Sequence, residues 1–168
     1  MNPPSNPPSN PPTIASRSEF QAAVRWGFDA AIATNARRIV AVDASFADWP
    51  LDDPALHTQL TGWLRLPQRR LLLLAARFDD VQRRHPRFVA WRALWAHAIE
   101  TRAAAEEDAA ELPTLLVDDG ATSVHLRDPV HWSGRAEADP RTAHPWRERV
   151  DALLQRSEPA FPVNALGL

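Results

Sequence analysis

Residues 111–132 read ELPTLLVDDGATSVHLRDPVHW, and this stretch decides the predicted fold. Two short apolar runs, at residues 115–117 and 124–126, flank Asp118-Asp119-Gly120, which is typical of a two-stranded β-hairpin. Acidic and aromatic side chains end or follow these runs: Asp118, His125, Asp128, His131 and Trp132. The hairpin is therefore the first place to look for a functional site.

The residues before the hairpin alternate between helical and strand patterns. Apolar spacing predicts helices at residues 17–34 and 54–66 and in two pieces around Pro86, and strands at residues 39–42, 71–74 and 97–102. A last helix is predicted to begin at Pro145. Crossover connections of this kind give a partly parallel sheet. The sequence thus predicts one α/β domain, with a mixed, partly parallel sheet flanked by helices.

The predicted domain covers residues 16–158 and has a tail on each side. Residues 1–15 begin with a Pro/Asn/Ser repeat that has little apolar surface to bury, which predicts a disordered tail. Residues 159–168 form an apolar but irregular tail. No window approaches the roughly 18 apolar residues of a membrane span, and the first residues lack a signal-peptide pattern, so a cytoplasmic protein is expected.

The composition excludes several chemistries. The chain has no cysteine and no tyrosine, and all nineteen of its Lys and Arg residues are arginine. A thiolate nucleophile, a lysine Schiff base, a P-loop lysine and a tyrosine acid are therefore impossible. No catalytic residue, cofactor or metal ligand is assigned from sequence.

The charges are unevenly distributed along the chain. Residues 65–92 hold eight arginines against two acids, and residues 106–119 hold six acids and no base. Such blocks can bind charged partners, pair within the chain or form head-to-tail contacts. Arginine forks suit phosphate and carboxylate oxygens, so the candidate ligand-binding arginines are Arg69, Arg70, Arg83, Arg84 and Arg87.

Two further positions carry two interpretations each. Asp43 at the end of a buried strand either faces a ligand or caps the following loop. Trp132 either lines a pocket or closes the end of the core. Asp43, Asp118, His125 and His131 could together serve a hydrolase, although their spacing matches no compact metal motif.

Nucleic acid is not expected as a partner, because the net charge is −2 and most tryptophans fall on predicted core faces.

The stretches RRHPRFVAWRALWAHAIETR (residues 83–102), PTLLVDDG (113–120) and VHLRDPVHW (124–132) resemble an uncharacterised proteobacterial domain of phospholipase D-like type. The resemblance implies one half of such a domain. Placing the aspartate of the family motif H-x-K-x-x-x-x-D on Asp118 puts Glu111 and Pro113 at the catalytic His and Lys positions, so both are absent. Complete members join two halves around one site, and the resemblance therefore implies pairing with a second copy.

Two hypotheses follow. The first is a non-catalytic binding or interaction module that recognises an anionic small molecule or a protein partner. The alternative is a phosphodiesterase-like or metal-assisted hydrolase that uses the acidic and histidine side chains of the hairpin.

Overall fold

The computed structural model describes residues 10–163. Most of the Pro/Asn/Ser repeat, at residues 1–9, and the end of the apolar tail, at residues 164–168, lie outside the described residues. The strands are Thr13–Ile14 (β1), Arg38–Asp43 (β2), Arg70–Ala75 (β3), Ile99–Ala103 (β4), Thr114–Asp118 (β5), Thr122–Asp128 (β6), Ser133–Ala138 (β7) and Glu158–Pro159 (β8). The helices are Arg17–Ala33 (α1), Pro54–Leu64 (α2), Asp79–Arg84 (α3), Pro86–Ala93 (α4), Glu106–Ala109 (α5) and Pro140–Arg156 (α6).

All the strands belong to one sheet with the order β1-β7-β6-β5-β2-β3-β4-β8. Strands β2, β3 and β4 are parallel, and every other neighbouring pair is antiparallel. The predicted mixed, partly parallel sheet flanked by helices is therefore confirmed. We call the edge where β2, β3 and β4 start the amino end of the sheet, and the edge where they finish the carboxyl end.

The helices divide unequally between the two faces of the sheet. One face carries the larger core cluster, in which Phe20 of α1, Trp63 of α2 and Phe88 of α4 pack with strand residues such as Ile39 and Leu71. The opposite face is covered by α6, whose Val150 and Leu153 pack on strand side chains such as Val42. Because α6 crosses the sheet alone, part of β6 and β7 on that face is left uncovered by apolar side chains.

Local sequence signals explain where the first two long helices begin. The Oγ atom of Ser16 accepts a hydrogen bond from the backbone N–H of Glu19 at 3.1 Å, which caps α1. Asp53 accepts from the N–H of Ala55 at 3.0 Å, and Pro54 occupies the first helical position of α2. No helix within residues 10–163 is both long and apolar enough to cross a membrane.

The structure differs from the sequence prediction around β7 and α6. The sequence SGRAEA at residues 133–138 has no apolar alternation, yet it forms a strand between β1 and β6. Helix α6 begins at Pro140 and not at Pro145, because Asp139 caps it by accepting from the N–H of Arg141 at 2.9 Å. Pro145 lies inside this helix.

Two short edge strands lie at the boundaries of the predicted domain: β1 lies in the predicted N-terminal tail, and β8 spans the predicted boundary between residues 158 and 159. Strand β1 pairs with β7, and its Ile14 is 6% exposed and belongs to the larger core cluster. Strand β8 pairs with β4. Ordered structure therefore extends at least from Thr13 to Pro159.

Candidate functional site

The acidic candidates Asp43 and Asp118 lie at opposite ends of the sheet. In the register of β2 and β5, Asp118 is opposite Ile39 and Leu115 is opposite Val42, so Asp43 lies at the carboxyl end and Asp118 at the amino end. Among the described residues, no group of three or more His, Asp or Glu side chains could hold a metal ion. The four side chains of the hydrolase hypothesis therefore do not form one cluster.

Asp43 makes capping contacts with the loop that follows β2. Its Oδ2 atom accepts hydrogen bonds from the N–H groups of Ser45 at 3.2 Å and Phe46 at 2.7 Å. Its Oδ1 atom accepts from the hydroxyl of Thr114 at 2.5 Å. Both carboxylate oxygens thus have partners within the chain, as the capping interpretation requires.

Asp118 holds the turn between β5 and β6. Its Oδ1 atom accepts from the N–H of Gly120 at 2.8 Å and of Thr122 at 3.0 Å, and only 3% of the residue is exposed. Burial raises the pKa of this carboxyl group above its ordinary value, and the two N–H groups partly oppose that shift. The contacts are those of a turn aspartate.

His131 and Trp132 lie in the turn between β6 and β7. The Nδ1 atom of exposed His131 is 2.7 Å from Oδ2 of Asp128, and this hydrogen bond holds the pKa of Asp128 below its ordinary value. Trp132 adopts a positive φ of 53° and packs against Phe20, with 5.9 Å between ring centroids. Trp132 therefore contributes to closing the end of the larger core cluster.

The five candidate arginines divide into two separate groups. Arg69 and Arg70 lie at the amino end, where β3 begins. Arg83, Arg84 and Arg87 flank His85, whose Nε2 atom is 2.8 Å from the carbonyl oxygen of Phe46 in the loop at the carboxyl end. Within the second group, Arg83 forms a salt bridge with Asp80, and the N–H of Arg87 donates to Asp52 at 2.7 Å. One ligand cannot contact both groups.

A cleft with converging basic side chains lies on the face that α6 only partly covers. The cleft has a volume of about 370 Å³ and is lined by His125, Arg127, Ser133, Gly134 and Arg135. We call it the β6–β7 cleft. Of its residues, sequence analysis selected only His125.

The register of the sheet explains why these side chains meet. Leu115 lies opposite His125, and His125 lies opposite Arg135, so all three project to the same face. Arg127 also lines the cleft, and it has no partner in β7 because the register of the two strands shifts between Leu126 and Asp128. The ring of Trp146 on α6 packs on the His125 ring at 4.4 Å between centroids, and the Arg149 guanidinium lies 5.6 Å from the Trp146 ring centroid.

Close backbone packing shapes the floor of the cleft at Gly134. A Cβ atom at this position would overlap the carbonyl oxygen of His125 and come within 2.9 Å of the Cα atom of Leu126. Any other residue would therefore have to push β7 away from β6. Glycine here lets the two strands approach normally and keeps Arg135 beside His125.

The cleft is electropositive. Arg127 and Arg149 form no salt bridge with any residue between 10 and 163, whereas Arg135 is 3.2 Å from Oε1 of Glu137. Burial lowers the pKa of His125 below its ordinary value, and the positive charges of Arg149 and Arg127 lower it further. His125 is therefore neutral at pH 7, and the unneutralised charge comes from guanidinium groups.

This arrangement is suited to binding an anion and not to nucleophilic attack. The described part of the chain shows no hydrogen bond between His125 and Ser133, so Ser133 has no base to activate it. One usable signal was present in the sequence, because Arg127 comes directly after the predicted run at residues 124–126 and two positions after His125. Arg135 could not be placed, since no strand was predicted there, and Arg149 joins the cleft only through the packing of α6.

Comparisons with known proteins concern the fold. A scan of protein families and a search of curated proteins found no match to the sequence. Among solved structures, the chain is similar to the archaeal chromatin protein TrmBL2, which is described as showing a novel mode of DNA binding. The TM-score is 0.59 at 12% identity, over 88% of this chain and 54% of that chain. The chain thus spans about half the length of that protein, and at this identity the likeness shows the fold alone.

A second solved structure is phosphatidylserine synthase of Haemophilus influenzae Rd KW20. The TM-score is 0.48 at 11% identity, over 88% of this chain and 38% of that chain. At this TM-score and identity the likeness carries no argument.

Proposed function

We propose that this chain is a non-catalytic binding module that recognises a small anion, carrying phosphate or carboxylate groups, in the β6–β7 cleft. The observation that carries the proposal is that Arg127 and Arg135 line one cleft beside His125, while the charge of Arg149 also acts on the His125 ring; Arg127 and Arg149 have no carboxylate partner in the described residues. Like charges repel, and an anion bound between them offsets that repulsion.

The chemistry of the cleft supports a small ligand with at least one oxyanion. Guanidinium groups present paired N–H donors that match phosphate and carboxylate oxygens. The volume of about 370 Å³ lies within the range of small-molecule pockets. The Trp146 and His125 rings add a partly apolar wall beside the arginines.

We propose that the chain is non-catalytic because of the residues that occupy the positions of the phospholipase D-like motif. Glu111 and Pro113 stand where the phospholipase D-like motif has its His and Lys, and the sequence contains no lysine that could replace the missing one. Thr114, next along the chain, donates to Asp43 and leaves that carboxylate engaged. A cytoplasmic location and a half-domain of phospholipase D-like type stay predictions.

The test is a titration of the full chain with pyrophosphate, citrate and ADP, followed by calorimetry at low salt. Replacing Arg127 or Arg149 by Gln removes charge-assisted hydrogen bonds, each of which contributes about 1.5–3 kcal/mol to binding. Because the cleft is open to solvent, we expect losses near the lower end, about tenfold in Kd for each variant. Arg17→Gln is the matched control, since Arg17 pairs with Asp48 at 2.9 Å on the opposite face of the sheet.

Two results would overturn the proposal. One is the absence of binding by all three anions at millimolar concentration. The other is equal weakening by Arg127→Gln and Arg17→Gln, which would reflect net charge and not the cleft. A short DNA duplex belongs in the same series because of the DNA binding described for TrmBL2. The net charge of −2 predicts that the duplex binds more weakly than pyrophosphate.

A further inference from the structure

Part of each charge block of the sequence lies at a different end of the sheet, whereas Arg83, Arg84 and Arg87 lie at the carboxyl end and Asp118 and Asp119 at the amino end. Arg37, Arg65, Arg69 and Arg70 gather around the start of β2 and β3, and we call this surface the basic end. Glu106, Glu107 and Glu111 lie on α5 and the segment after it, between the finish of β4 and the start of β5, and we call this surface the acidic end. Strands of six residues separate the two by about 20 Å.

Most of the charge at the basic end is not neutralised within the chain. Arg37, Arg65 and Arg69 form no salt bridge with any described residue, and Arg70 is 3.9 Å from Glu100. Arg69 donates to the carbonyl oxygen of Pro67 at 2.9 Å, while its Nε atom is buried without a partner. Arg65, Arg69, Arg70 and His97 line an open depression of about 570 Å³.

The acidic end carries matching unpaired charge. Glu106, Glu107 and Glu111 are exposed and have no salt-bridge partner among residues 10–163. The neighbouring Asp108 differs, because it pairs with Arg156 at 2.8 Å and its pKa is lowered by that contact. Three free carboxylates at one end thus complement three free guanidinium groups at the other.

Exposed apolar side chains occur at both ends. Leu66 and Leu94 follow α2 and α4 at the amino end and are 45% and 75% exposed. Val130, in the turn after β6 at the carboxyl end, is 80% exposed. Exposed ion pairs contribute little to association by themselves, so apolar side chains beside the charges matter for an interface.

We infer that the basic end is a docking surface for the acidic end of a second copy of this chain. The unpaired guanidinium groups of Arg37, Arg65 and Arg69 and the carboxylates of Glu106, Glu107 and Glu111 are opposite in sign, and the length of the strands keeps them from meeting within one copy. A contact between two different surfaces generates a ring if the rotation closes and a longer assembly if it does not. The inference does not depend on the β6–β7 cleft, which lies on the α6 face.

A charge-swap experiment tests this inference. The first variant is Arg37→Glu/Arg65→Glu, and the second is Glu106→Arg/Glu111→Arg; all four side chains are exposed, which favours normal folding. The association state of each full chain is measured by sedimentation velocity. We expect the wild type to associate at about 0.01 M salt, where the Debye length is about 30 Å, and to dissociate at about 1 M, where it is about 3 Å.

The decisive sample is an equimolar mixture of the two variants. In each variant alone the exchanged end has lost its original excess of charge, so the variant is expected to stay monomeric, whereas the mixture joins the unchanged basic end of one variant to the unchanged acidic end of the other and should associate. The control variant Arg17→Glu/Arg25→Glu makes the same change in net charge on α1 and should associate normally. Circular dichroism and thermal melting of each variant establish that it is folded.

A wild type that stays monomeric at low salt and millimolar concentration would overturn the inference. So would a folded mixture that fails to associate. If the wild type were monomeric and bound a DNA duplex through Arg37 and Arg65, the basic end would belong to a polyanion instead of a second copy.

Discussion

Replacing Gly27 by alanine should destabilise the fold, and replacing Gly62 by alanine should stabilise it. Both glycines lie inside helices, α1 and α2 respectively, with no positive φ. In an exposed helix interior, alanine is favoured over glycine by about 1 kcal/mol. At Gly62 a new Cβ atom meets nothing within 4 Å, so this gain should appear almost in full.

At Gly27 the same gain is opposed by a steric clash with the sheet. A Cβ atom there would lie 2.6 Å from Cδ2 of Leu116 and 2.9 Å from Cγ2 of Val124. Both side chains are 1% exposed and have little room to move. Overpacking of this kind typically costs about 1–3 kcal/mol. Two contacts below 3.0 Å favour the upper half of that range. Once the helix-propensity gain is subtracted from this cost, the free energy of unfolding is expected to fall by about 1–2 kcal/mol.

Urea denaturation followed by tryptophan fluorescence measures the change in the free energy of unfolding, and thermal melting measures the shift in Tm. For a chain of this size, 1 kcal/mol corresponds to a shift in Tm of about 2–4 °C. We expect a decrease of roughly 2–8 °C for Gly27→Ala and an increase of about 2–4 °C for Gly62→Ala. If Gly27→Ala were as stable as Gly62→Ala, the close approach of α1 to β5 and β6 would be refuted.

Two further predictions concern titrating groups. Burial raises the pKa of Asp118 above its ordinary 3.8, so the folded state binds this proton more tightly and loses stability as the pH rises above 3.8. In Asp118→Asn that loss should vanish, so the variant should gain stability relative to the wild type from about pH 3 to pH 6, as measured by urea denaturation. A stability difference that stays constant over this range would contradict the prediction. Removing the positive charge in Arg149→Gln should raise the pKa of His125 towards its ordinary 6.5, as measured by NMR of the imidazole ring; an unchanged pKa would place Arg149 too far from the cleft to act.

The helices and strands that were predicted correctly are those that carry strong local signals in their own residues. The Ser16 and Asp53 caps and the four leucines of β3 fix their elements locally. Strand 97–102 was predicted from β-prone Ile99 and Thr101, and the structure has it as β4.

The missed parts depend on tertiary contacts. Strand β7 forms because it pairs with β6 on one side and with β1 on the other. Its sequence, SGRAEA, has no pattern that predicts a strand. The cleft was missed for the same reason, since Arg135 meets His125 only through the pairing of β6 with β7. A register that joins residues ten positions apart is visible in the sequence only if both strands are recognised.

The placement of β1 and β8 has a mechanical consequence. These two-residue strands occupy opposite edges of the sheet, and seven spacings of about 4.8 Å put them roughly 34 Å apart. Tension applied to the chain at Thr13 and Pro159 would act across the strands and not along them, so it would open hydrogen bonds one pair at a time. The first pairings to open are those of β1 with β7 and of β4 with β8. Under load, the domain should therefore lose the two edge strands at low force while the six inner strands keep their pairing.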